Sequence, residues 1–177
     1  MGKVTIDYRD YFAETIQQMC TQGLLLVSAD KDKKPNVMAI GWGMIGSIWS
    51  RPAFIVFVRP SRHTYGLLEE VGEFTVNVPP NELAEATTYC GTVSGRDHDK
   101  IKEKQFTLVP GRKVRVPIIQ ECIIHYECRL LHKNNVLADF LDKNFKSEVY
   151  PKGDFHRIYF GEILTAYADD EAVKELG

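Results

Sequence analysis

The sequence predicts a mainly β protein, with strands in an antiparallel sheet that closes into a barrel and a few short helices beside it. Three observations carry that expectation. Apolar runs of strand length recur along the chain, among them Leu24–Ala29 and Ala53–Val58. Elsewhere apolar and polar residues alternate with period two, as in Phe74–Val78, which sends successive side chains to opposite faces of a sheet. The connections read as hairpins or short helices with no regular β-α-β rhythm. That favours antiparallel pairing and, over 177 residues, barrel closure.

Taken in order, Tyr11–Cys20 reads as a helix N-capped by Asp10. Leu24–Ala29 is a strand, Asp30–Lys34 a polar turn, and Asn36–Ile48 the returning strand of a hairpin. Ala53–Val58 is a continuous apolar run, as expected of a strand buried on both faces. A helix over Tyr65–Val71 follows Thr64 as its cap and stops at Gly72. Phe74–Val78 is the next strand. Glu82–Tyr89 is a helix that starts after Asn81 and stops near Gly91, and a shorter helical turn is expected over His98–Lys104. Ile118–Leu131 and His156–Ala166 complete the strands, and Asp170–Leu176 is a closing helix.

No repeat, linker or low-complexity stretch divides the chain, so one domain over residues 1–177 is expected. A 44% hydrophobic and 26% charged composition is ordinary for a globular protein. A formal net charge of -2 argues against a polyanion such as nucleic acid as partner. The basic runs Lys31–Lys34 and Arg112–Arg115 read as solvated turns. The start lacks the apolar stretch of an export signal, and Ile6 stands where a myristoylation pattern wants Ser or Thr. The longest uncharged run, Val37–Ser50, is shorter than the about 20 residues that a membrane span needs. Cytoplasmic location without membrane attachment is therefore expected.

Two motifs mislead. Gly41-Trp42-Gly43-Met44-Ile45-Gly46 matches G-x-G-x-x-G, but that motif works only where the glycines lead from a strand into a helix. Here β-like residues and Pro52 follow, so the glycines read as bulges or as places where a flat ligand nears the backbone. Cys122, His125 and Cys128 look like metal ligands at first sight. Period-two alternation puts Ile118, Cys122, Ile124, Tyr126, Cys128 and Leu130 on one face, and Glu121, His125, Glu127 and Arg129 on the other. His125 would then point away from both thiols, and no metal site is expected. None of the four cysteines forms a C-x-x-C pair, and reduced thiols are expected.

The segment Val58–Glu70 is the most informative. A buried strand ends and a helix begins near Thr64, and a helix start offers free N–H groups and partial positive charge to a phosphate. Ser61 and Thr64 add hydroxyls, and Arg62 adds a planar cationic fork. The alternative, a plain helix cap with a solvated arginine, stands equally at this level. The stretch Cys90–Lys100 holds small residues, two glycines and the Lys100 charge, but taken alone it reads as a loop. Trp42 reads either as a ligand-facing ring or as core packing.

Taken together, these segments resemble the FMN-binding split-barrel family, in particular its flavin reductase-like and flavoredoxin branch. The matching pieces are Asn36–Trp42, Arg51-Pro52, Ser61–Thr64, Gly72–Pro79, Cys90-Gly91, Ser94–Arg96 with Lys100, and His156 followed by Gly161-Glu162. The first sixteen or so residues and Lys133–Lys152 match poorly. The resemblance implies a six-stranded antiparallel Greek-key split barrel and a homodimer, with FMN near the subunit interface. It implies cofactor contacts from Asn36, Met38, Ala39, Ile40, Gly41 and Trp42 around the ring and ribityl chain. Ser61, Arg62, His63 and Thr64 would hold the phosphate, and Cys90, Gly91, Ser94 and Lys100 would close over the cofactor. His156 would be a polar neighbour of the flavin.

A flavin would carry the chemistry itself, so no catalytic acid or base is expected among the side chains. Three functions stay open: an NAD(P)H-dependent flavin or acceptor reductase, an electron carrier served by a redox protein partner, and a cofactor-free binding or structural barrel.

Overall fold

The computed structural model describes residues 2–170. In chain order its elements are β1 (Lys3–Ile6), α1 (Phe12–Thr21), β2 (Leu24–Ala29), β3 (Pro35–Ile40), β4 (Gly43–Ile48), β5 (Arg51–Val58), α2 (His63–Val71) and β6 (Glu73–Val78). A 3-10 turn at Asn81–Leu83 leads into α3 (Ala84–Thr92) and α4 (Lys100–Glu103). Then follow β7 (Leu108–Val109), β8 (Ile118–Ile119), β9 (Ile124–Asn135), a 3-10 turn at Ala138–Phe140, α5 (Lys143–Val149) and β10 (Arg157–Asp169).

Eight strands form one sheet in the order β3-β2-β6-β9-β10-β5-β4, with β1 also pairing with β10. Every pairing is antiparallel. The end strands β3 and β4 are joined by only Gly41 and Trp42. Two residues span about 7 Å at most, so the sheet must curl until its two ends meet. The result is a mainly β, antiparallel split barrel, open between β3 and β4.

The main sheet has eight strands where six were expected, for two reasons, and β7 and β8 pair in a separate two-stranded sheet. Asn36–Ile48 is two strands, because the chain leaves β2 at Gly41 and joins β5 from Gly43. Gly43 is where this happens because a Cβ there would lie 2.8 Å from the Ile55 carbonyl oxygen. The short β1 was the other omission. The expected strand over Ile118–Leu131 is also broken, since Cys122 N–H turns back to the Ile119 carbonyl. Cys122 therefore joins a different core cluster from Ile124, Tyr126 and Cys128, contrary to the uninterrupted alternation.

The helices differ in detail. Helix α1 follows Tyr11 in a left-handed conformation, and Asp10 accepts from Asp7 N–H instead of capping. Helix α2 starts two residues early, so Thr64 lies in its first turn. Gly72 ends it at φ 69°, as expected. Helix α3 runs past Gly91 to Thr92. Within the expected His98–Lys104 turn only Lys100–Glu103 is α-helical, capped by the Asp99 side chain. Helix α5 was not expected; the Asp142 carboxylate caps it through the N–H groups of Asn144 and Phe145. The closing helix expected over Asp170–Leu176 lies, past Asp170, outside the described residues. No described helix is long and apolar enough to cross a membrane.

Strand β2 divides two cores. Leu24 and Leu26 point into the barrel with Phe54, Phe74, Val76 and Tyr126. Leu25 and Val27 point outward, under Cys90, Phe106, Val116 and Ile119. His125 and Glu127 on the polar face of β9 are buried as well, while Arg129 is exposed. Glu127 accepts from the N–H groups of Arg112 at 2.7 Å, Lys113 at 2.5 Å and Val114 at 3.1 Å, and from the Tyr167 hydroxyl at 2.7 Å. Arg112, Lys113 and Val114 of the basic run are thus moored by their backbone to one buried carboxylate, while the Arg115 N–H donates to Glu73 at 3.0 Å.

Candidate functional site

Two adjoining hollows, of ≈ 290 Å³ and ≈ 280 Å³, open where the barrel is split. They share Met38, Ala39 and Arg62. The first is walled by Asn36 and Ala39 of β3, by Ser61, Arg62, His63 and Thr64 at the start of α2, by Cys90 and Gly91 of α3, and by Ser94 and Lys100. Ile40, Gly41, Trp42 and His156 wall the second. All fifteen residues singled out from the sequence therefore face these two hollows. Phe57, Arg59, Val93, Arg96 and Asp97 face them too and were not singled out. Arg59 lies in the segment Val58–Glu70 and Arg96 in Cys90–Lys100, and their charge was the available signal.

The first hollow is cationic. Lys100 is only 4% exposed, and its ammonium donates to the carbonyls of Cys90 at 3.2 Å and Val93 at 3.4 Å. Among the described residues it forms no ion pair. Burial, with the Arg62 charge adding, pulls its pKa below the usual lysine value. Arg62, the residue before α2, reaches the Gly91 carbonyl at 3.5 Å. Asn36 donates to the Thr64 hydroxyl at 2.9 Å, which ties β3 to the first turn of α2. Gly95 leaves no room for a side chain, since a Cβ would fall 1.9 Å from Asn36 Oδ1. Burial pushes the Cys90 thiol up to about 11, so it stays protonated near neutral pH.

Ser61 is engaged elsewhere. Its N–H and hydroxyl donate to the Asp154 carboxylate at 3.2 Å and 2.6 Å. Its carbonyl accepts from Arg96 at 2.9 Å. The turn before α2 is thereby held from one side by the segment leading into β10 and from the other by the loop after α3.

The second hollow is aromatic. Trp42 is 51% exposed, which excludes the core-packing reading. Its ring lies 4.9 Å from that of His156, at 55°. His156 Nδ1 and the Tyr150 hydroxyl are 2.8 Å apart. Burial, with the Arg59 and Arg62 charges adding, draws the imidazole pKa down to about 4, so it is neutral at pH 7. Arg59 lies over the Tyr150 ring at 5.1 Å and donates to the carbonyls of Val149 and Asp154. Among the described residues strand β3 ends the sheet and pairs only with β2, so its other edge has no strand partner there for its backbone N–H and C=O groups. Such an edge beside flat aromatic walls suits a planar, hydrogen-bonding ligand. The glycines of Gly41–Gly46 lead into a strand and not a helix, which rules out the dinucleotide motif.

Comparison with known proteins agrees with this architecture. An uncharacterized protein of Archaeoglobus fulgidus is 39% identical over 132 residues, 75% of this chain and 64% of that protein's length. The chain thus spans less than two thirds of that relative. A flavoredoxin of Methanosarcina acetivorans is similar in structure, with a TM-score of 0.66 and 30% identity over 84% of this chain and 69% of its own. The flavoredoxin of Desulfovibrio vulgaris (Miyazaki F) gives a TM-score of 0.67 at 26% identity, with the same shares covered. Residues 18–176 match the family described as the flavin reductase like domain, and the chain belongs to that family.

Proposed function

We propose that the paired hollows bind FMN and that the protein is a flavin-dependent oxidoreductase drawing electrons from NADH or NADPH. The observation that carries this reading is Lys100, a buried cation with no carboxylate partner among the described residues, which faces the hollow beside Arg62 and the first turn of α2. A buried charge is costly unless something compensates it. A phosphate on that side would do so. The ring would lie along the free edge of β3 against Trp42, which fits the aromatic walls of the second hollow. When bound, the flavin supplies the electron chemistry at its ring.

The chain's own residues then have limited tasks. Arg62, Thr64, Ser94 and Lys100 hold the phosphate. Asn36, Met38, Ala39, Ile40 and Gly41 line the flavin, and Trp42 and His156 screen it from water. His156 stays neutral and keeps Nδ1 on Tyr150, so it carries no charge into the site near pH 7. The family and the two flavoredoxin structures support a flavin ligand.

A homodimer is part of the same reading. Met44, Ile55, Phe160 and His132 form a cross-strand row on the sheet face turned away from the barrel core. Met44 is 52% exposed, and Trp49, next to this row, is 65% exposed. A second copy covering this face would remove that apolar surface from water.

The second reading, an electron carrier of the flavoredoxin kind, is favoured by the two flavoredoxin structures. Anaerobic mixing of the flavin-loaded protein with NADH and with NADPH separates the two. Bleaching of the flavin absorbance by either nucleotide supports the reductase. No bleaching by both leaves the carrier.

A further inference from the structure

Asp154 stands where the sequence led us to expect an anion from outside. Two converging donors, the Ser61 N–H at 3.2 Å and the Ser61 hydroxyl at 2.6 Å, both end on its carboxylate. Ser61 comes directly before Arg62, the residue that precedes α2. A phosphate using these donors would have to share them with a negative charge or displace it. The carboxylate is fixed in place. Asp154 has φ 58° and follows Gly153 at φ 75°, and its own carbonyl accepts from Arg59 at 3.2 Å. Aspartate tolerates that left-handed conformation, but the placement is still a defined one. Among the described residues the Asp154 carboxylate forms no ion pair, so no cation in direct contact cancels its field.

Resting on the flavin reading above, we propose that Asp154 is a specificity-determining residue for the phosphate end of the ligand. By occupying the Ser61 donors with a carboxylate, it weakens the hold on the phosphate and narrows the preference for FMN over riboflavin. The carboxylate meets Ser61 directly at the phosphate end, and reaches His156 of the second hollow only through its charge. The chain then holds its flavin loosely enough to exchange it. Asp154 lies 93 residues from Ser61 in sequence, on the segment leading into β10.

The test is fluorescence titration of the full chain with FMN and with riboflavin, for the wild type, Asp154→Asn and Asp154→Gly. Asparagine keeps an acceptor oxygen for Ser61, and glycine suits the left-handed backbone if asparagine folds poorly. Both variants should bind FMN about tenfold more tightly, since a neighbouring like charge has been removed, and riboflavin within about twofold of wild type. Unchanged or weaker FMN binding would overturn the proposal. So would equal changes for both flavins, which would make Asp154 a scaffold for the segment before β10. If the wild type binds neither flavin, the functional reading itself fails. That result differs from FMN binding that Asp154 does not tune.

Discussion

The Lys100 ammonium donates to the Cys90 carbonyl at 3.2 Å, under the last turn of α3 and at the wall of the first hollow. A lysine kept only to join α3 to α4 would be a poor choice, because desolvating it costs more than two carbonyl contacts return. Lys100→Met should therefore leave the denaturation midpoint unchanged or raise it. The same change should weaken FMN binding by about tenfold or more, as a charge-assisted contact is lost. Titration with FMN beside a urea melt checks both. A destabilised variant with normal FMN affinity would make the lysine structural.

Stability should fall as the solution is acidified from neutrality. Burial holds the His125 pKa well below its ordinary value, and His156 is drawn down to about 4. A histidine whose folded pKa is depressed binds its proton more readily when unfolded. Acid thus favours the unfolded chain from about pH 6.5 downward, until the folded imidazole also titrates. Each group contributes up to about 1.4 kcal/mol per pH unit in that window. Urea midpoints at pH 7.5 and pH 5 should show the drop, and His156→Gln should reduce it.

Glu127 is the polar centre of the second core. Replacing it with alanine strands three backbone N–H groups and the Tyr167 hydroxyl, each buried donor costing about 1–3 kcal/mol. Glu127→Ala should therefore lower the chemical stability by several times the effect of a surface change. Calorimetry gives the size. A loss below about 1 kcal/mol would mean the Arg112–Arg115 loop finds other partners.

The outer row on β4, β5, β10 and β9 makes the proposed dimer testable. Phe160 pairs with Ile55 and His132 and meets the Trp49 ring at 6.4 Å. Phe160→Arg should shift the protein from dimer to monomer in sedimentation velocity, since like charges would face each other across a twofold interface. A wild type that sediments as a monomer would remove the dimer from the account.

Much of the barrel was legible because period-two patterns survive burial: β2, β5 and β6 fall where the alternation or the apolar run placed them. The break at Gly41-Trp42 was not legible. A glycine at a strand end and a glycine inside a strand read alike until the Ile55 backbone is seen pressing on Gly43. Polarity also misled at β9. Residues 106–122 fold over His125 and Glu127, and no local pattern announces that cover. Helix α5 was missed because its seven residues carry only one apolar pair at helical spacing, Phe145 and Val149. The residues facing the hollows were found through the resemblance and through the charge and hydroxyls at the start of α2. The Ser61–Asp154 contact joins positions 93 apart, and nothing near Ser61 in sequence points to its partner.

Whether the split of the barrel holds FMN is read from the visible absorption spectrum of the purified protein, with the released cofactor then identified. Flavin bands are expected, or their appearance on adding FMN, with FMN recovered after denaturation. A colourless protein that takes up no added FMN would contradict that binding.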